Sequence, residues 1–86
     1  MNRRKLYLKA LNNPKGLRFA EALALAEAFG FLPAGGAGSH HAYTHPDDPR
    51  ARLNIQADKN RLAKAYQVRQ LLTAVEEHGL QLEDEE

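Results

Sequence analysis

The 86-residue chain contains no cysteine. That removes a disulfide framework, a thiolate nucleophile and any zinc site built on sulfur, and it agrees with a reducing compartment. Long apolar runs are missing too. No stretch approaches the ~20 apolar residues that cross a bilayer, and the basic start MNRRKLYLKA lacks the roughly 7–15 apolar residues of a signal peptide. A soluble, cytoplasmic protein with no membrane partner is expected. Excess charge is absent as well: 12 Lys plus Arg against 11 Asp plus Glu give +1. At this length one small domain forms, burying about 60–65% of its unfolded surface, and a large two-domain enzyme is excluded.

The small net charge conceals an uneven distribution. Residues 1–20 carry six positive groups and no acid, and residues 50–70 carry six more against Asp58 alone. Four acids fall in the last six residues, QLEDEE; without them, twelve positive charges face seven negative, a net of +5. The chain divides into a basic extension over 1–16, a folded domain over 17–80 and an acidic tail over 81–86.

Leu6, Leu8 and Leu11 predict a short helix over 3–11, stopped at Asn12-Asn13-Pro14, because proline disfavours a helical conformation in the residue before it. Phe19, Ala22, Leu23, Ala26 and Phe29 follow helical spacing, and Gly30 stands where a left-handed C-terminal residue is wanted. No Ser, Thr, Asp or Asn closely precedes this helix to cap it. The stretch 31–38, FLPAGGAG, reads as a short strand running into a loop. SHHAYTH at 39–45 and ARLNIQA at 51–57 read as a hairpin around the turn Pro46-Asp47-Asp48-Pro49, followed by a polar connection over 58–65. Val68, Leu71, Leu72 and Val75 mark a last helix, with His78, Gly79 and Leu80 at its end. The expected architecture is α+β, a three-stranded antiparallel sheet with two helices on one face and a short helix in front.

Three of the four histidines fall within residues 40–45. Side chains alternate along a strand, and Tyr43 is the bulky group that should face the core, taking His41 and His45 with it. His40, Ala42 and Thr44 then share the open face with Arg52, Asn54 and Gln56. His41 and His45 lie four residues apart, about 13 Å at roughly 3.3 Å per residue, and His40 and His41 point apart, so no metal site is expected. Polar groups on a sheet surface and its rim are the plain alternative.

The run Gly38-Ser39-His40-His41-Ala42-Tyr43-Thr44-His45-Pro46 resembles the G-S-H-x-x-[F/Y]-x-H-P signature of HicA-type toxins, the ribonuclease halves of bacterial toxin–antitoxin modules. Arg18-Phe19 with the helix end Glu27-Ala28-Phe29-Gly30-Phe31, then Leu53-Asn54-Ile55-Gln56, then residues 64–72, are similar to that family's first helix, third strand and last helix, in order over about 17–80. The resemblance implies an α-β-β-β-α fold like that of double-stranded-RNA-binding domains (dsRBD-like). It also implies a metal-independent endoribonuclease, or mRNA interferase, that cleaves mRNA without cofactor, with His40 as the catalytic residue and a HicB-type antitoxin protein as partner. Two features depart from the pattern: residues 32–37 are uncharged where relatives often carry basic groups, and Ala57-Asp58 stands where shorter members often have a histidine.

Such chemistry is accessible to the residues present. Attack of an RNA 2′-hydroxyl on its own phosphate needs proton transfers and charge stabilisation but no protein nucleophile, and imidazole titrates in the right range. Arg52 on the adjacent strand and Lys59, Arg61 and Lys64 in the following loop are candidate phosphate ligands, or solvated surface charges. Gly38 allows close backbone approach to substrate, and Ser39 either orients a phosphate or begins the strand. A non-catalytic RNA-binding module of the same fold and a protein-interaction domain presenting its open sheet are the alternatives.

Overall fold

Two glycines set where the main helices stop. The computed structural model describes residues 2–36 and 40–83, His40 through its backbone. Its elements are α1 (Arg3–Asn12), a 3₁₀ turn (Pro14–Gly16), α2 (Phe19–Ala28), β1 (Leu32–Gly35), β2 (His40–His45), β3 (Asp48–Gln56) and α3 (Ala65–Glu77). Gly30 (φ 90°) follows α2 and Gly79 (φ 62°) follows α3. At each end the glycine N–H and the next N–H return to the last turn, Gly30 to Glu27 and Phe31 to Ala26, Gly79 to Glu76 and Leu80 to Val75. These are paired Schellman closures, which satisfy the orphan carbonyls and fold Phe31 and Leu80 back on the core.

The helix starts use devices that spacing alone did not reveal. The Asn2 side chain accepts the Lys5 N–H at 2.8 Å and caps α1. At α2 the Glu21 carboxylate reaches back to the Arg18 N–H at 2.9 Å. Both Glu21 oxygens also take the Lys9 ammonium at 2.9 Å, tying α1 to α2. α1 buries Leu6 and Ala10 in the same core as the rest of the chain.

The three strands form one antiparallel sheet in the order β1-β2-β3. Tyr43, Leu53 and Ile55 are buried on one face, where α2 and α3 pack, while Arg52 and Asn54 are exposed on the other. Tyr43 therefore marks the core side, as its aromatic ring requires. β3 begins three residues earlier than its alternating pattern indicates, so Pro46 and Asp47 alone make the turn. The register passes from Thr44 opposite Arg52 to His45 opposite Asp48, which leaves residues 49–51 as a bulge. Its cause is local: Pro49 has no N–H to give, and Asp48 Oδ1 accepts the Arg50 N–H at 3.1 Å.

His45 fixes this corner. It is 7% exposed, and its Nε2 lies 2.8 Å from the Phe29 carbonyl. Its Nδ1 accepts the Asp47 N–H at 3.1 Å, so the ring is the neutral Nε2–H tautomer, donating to the end of α2 and accepting from the turn. The ring also stands edge-on to Phe31 at 5.2 Å. His45→Phe keeps the ring contact but strands a buried carbonyl and an N–H. It is expected to cost about 2 kcal/mol, a fall of roughly 10 °C in Tm in thermal melts followed by circular dichroism. A melt unchanged within 2–3 °C, a shift worth well under ~1 kcal/mol at this size, would contradict that role.

Candidate nucleic-acid interface

The open sheet face and the edge of β3 carry the polar groups that packing does not use. On the core side His41 stacks edge-on against Phe19 with ring centres 5.2 Å apart, and His45 holds the β2–β3 corner. His78, at the end of α3, lies 2.6 Å from Asp48 Oδ2 through its Nδ1. Each histidine whose side chain is described thus has a structural partner. His40 opens β2, with its backbone opposite Gln56, and Gly38 and Ser39 lie outside the described residues.

The predicted cations separate in space. Arg52 is exposed opposite Thr44, four residues along β3 from Gln56, which puts its backbone about 13 Å from the level of His40. Arg52 and position 40 are therefore separated along the sheet and do not meet at one point. Lys64 is nearer: its N–H donates to the Gln56 carbonyl at 3.2 Å, on the side of β3 away from β2. Backbones 40, 56 and 64 therefore lie in one row about 10 Å across. Lys59 and Arg61 are exposed in the loop between β3 and α3. That loop is shaped by Asp58, whose Oδ1 accepts the N–H groups of Asn60 and Leu62, and by Arg61 itself at φ 63°.

Residues outside the predicted set complete the surface. Gln67 is 4% exposed and clasps the end of β3: its Oε1 accepts the Gln56 N–H at 2.7 Å and its Nε2 donates to Gln56 Oε1 at 3.0 Å. The same Nε2 lies 3.3 Å from the Tyr66 hydroxyl, and the Tyr66 ring is 53% exposed. A groove of about 660 Å³ runs between β3 and α3, lined by Arg50, Arg52, Asn54, Tyr66 and Arg69. A smaller depression of about 380 Å³ on the sheet face, beside Ala42 and Thr44, shares Arg52 and Asn54 with it. Gln67 was hidden from sequence reasoning by its place beside the apolar stripe; Tyr66 and Arg69, three apart on one helix face, were a readable signal.

The described lining of the groove carries three arginines against Glu77, and Asp48 is pinned beside its far end by Arg50 and His78. Hydrogen bonds from the Arg50 side chain and backbone N–H, with a lesser one from His78, outweigh the opposing effect of burial and hold Asp48 at about 2. Burial, then the nearby Glu27 carboxylate, raises the Tyr43 hydroxyl above its ordinary value, and that hydroxyl donates to Glu27 at 3.2 Å. Among the described residues no three His, Cys, Asp or Glu side chains converge as a metal site, and no helix is long and apolar enough to cross a membrane. Compared with models of protein families, with curated proteins and with solved structures, the chain matches none.

The Asp48 bonds set a pH dependence. A folded value of about 2 lies below that of an unfolded aspartate near ~3.9. The stabilisation is complete above about pH 4 and is lost as pH falls toward about 2. Asp48→Asn is expected to lower Tm near neutrality and to converge on the parent protein through that window. A Tm difference that stays constant from about pH 6 to about pH 2 would contradict the assignment.

Proposed function

We propose that the chain is a small endoribonuclease that cleaves mRNA without a metal ion or cofactor, with His40 as general acid or base. The carrying observation is the division of labour among the histidines. His41, His45 and His78 are each engaged in packing or hydrogen bonds, and strand parity gives position 40 the row of 42 and 44, beside exposed Arg52 and Asn54. The α-β-β-β-α order behind α1 supports a dsRBD-like arrangement, and with the G-S-H run it supports the likeness to HicA-type toxins.

In this reading the RNA 2′-hydroxyl attacks the adjacent phosphorus and loses its proton, and the 5′-oxygen leaves and gains one. The products carry a 2′,3′-cyclic phosphate and a 5′-hydroxyl. His40 supplies one of the two proton transfers, a contribution of roughly 10²–10⁴ in rate. Lys64, one strand beyond Gln56, offsets charge on the scissile phosphate; Arg52, Lys59 and Arg61 hold the chain on either side. Gly38 lets the backbone approach, and Ser39 orients a phosphate oxygen. A HicB-type antitoxin covering the same face would neutralise the activity in the cytoplasm.

A second reading has its own support. Ala42, Gln56 and Lys64 are the described neighbours of the row at position 40, and none is a histidine or a carboxylate. That favours a module that holds RNA without cutting it. Incubating the parent protein and His40→Ala with RNA in EDTA, with products resolved on a gel, separates the two. Cleavage by the parent, reduced at least about 100-fold in the variant with an unchanged circular dichroism spectrum, is the expected result. Equal cutting by both removes His40 from catalysis, and cutting only with added metal removes the mechanism.

A further inference from the structure

We propose that the groove between β3 and α3 seats a single RNA strand, with Tyr66 stacking on a base and Arg69 and Arg52 holding successive phosphates. The inference rests on the RNA reading above and extends it to residues that the resemblance does not assign a role.

The groove exists because the edge of β3 is only partly covered. Residues 62–64 and Gln67 close it at Gln56 and Ala57, whereas Arg50, Arg52 and Asn54 face open space beside α3. Since Gln67 meets Gln56 and His78 meets Asp48, α3 runs antiparallel to β3. The lining groups therefore come in order: Tyr66 near Gln56, then Arg69 with Asn54 and Arg52, then Arg50. This row spans about 20 Å of strand.

Each group suits a flexible polyanion with flat bases. The Arg52 and Arg69 side chains make no hydrogen bond or ion pair among the described residues, whereas Lys9 is bound to Glu21 and Arg50 to Asp48. Among the described residues Glu77 is the one acid lining the groove, against three arginines. Tyr66 is held near Gln56 by its Gln67 neighbour yet leaves half its surface in water, a ring available for stacking. A slot walled by one helix and one strand edge admits a single strand with splayed bases; duplex RNA is read instead across a broad minor-groove surface. The end marked by Tyr66 lies one strand from His40. The stacked base thus neighbours the scissile phosphate, and Arg69 and Arg52 take the phosphates leading away.

The full chain carrying His40→Ala, which binds without cutting, is titrated into a fluorescein-labelled single-stranded RNA and followed by anisotropy at several salt concentrations. Adding Tyr66→Ala is expected to weaken binding about tenfold, with Tyr66→Phe restoring it, because stacking needs the ring and not the hydroxyl. Adding Arg69→Ala lowers the slope of log affinity against log salt by about 0.7, while Lys5→Ala on exposed α1 leaves that slope unchanged. Parent-like binding by both groove variants overturns the proposal, as does duplex RNA competing as well as single-stranded RNA. Absence of any RNA binding overturns this proposal and the RNA reading together. If His40→Ala cleaves like the parent while the Tyr66 and Arg69 variants bind weakly, the catalytic role falls and the groove stands. If His40→Ala is inactive and the groove variants keep the parent KM, the groove falls and the catalytic role stands.

Discussion

One buried imidazole joins three parts of the fold. His45 donates to the carbonyl at the end of α2, accepts from the β2–β3 turn and rests against Phe31. A hypothetical Cβ on Gly30 would come within 2.9 Å of its Nε2, so the left-handed glycine that ends α2 also makes room for the ring. Next to it Asp48 binds Arg50 and His78, which brings the end of α3 to the start of β3. With both contacts in place the bulge at 49–51 has one register. A slip of β3 by one residue would turn Leu53 and Ile55 toward water and the Arg52 row toward the core.

That register governs the candidate site. Arg52 and Asn54 face outward because Leu53 and Ile55 face inward, and the parity of position 40 follows from Tyr43. Gln67 performs at the other end of β3 what Asp48 and His78 do at the first, pinning α3 against the strand by its own polar atoms. Between the two pins the strand edge stays open, and the groove occupies the gap. The stability of the corner and the presentation of the open polar surface are thus two consequences of one set of contacts.

Much of this was legible in the residues. The apolar stripes of α2 and α3 and their closing glycines are local patterns, and one tyrosine settled the faces of β2. What escaped depends on polar partners that apolar spacing does not display. The early start of β3 depends on a proline without an N–H and on His78, thirty residues away. The Asn2 cap belongs to a helix whose apolar spacing is poor, and Gln67 looks like a polar interruption until its partner on β3 is known. Arg52 was correctly placed on the open face, but its 13 Å offset from the level of His40 required the register. Tyr66 and Arg69 escaped because the helix was read for its buried side, and the wall opposite them is a strand edge.

An 86-residue chain without cysteine has few ways to activate a nucleophile, and RNA carries one of its own. The central claim is that the substrate's 2′-hydroxyl performs the attack while the protein moves protons and holds phosphates. The most direct measurement places a single 2′-deoxy nucleotide 5′ of the mapped cleavage site and identifies the product ends by mass spectrometry. The account predicts loss of cleavage at that bond with binding retained, and a 2′,3′-cyclic phosphate on the product of the unmodified RNA. Cleavage of the deoxy-substituted bond at the unmodified rate would contradict it.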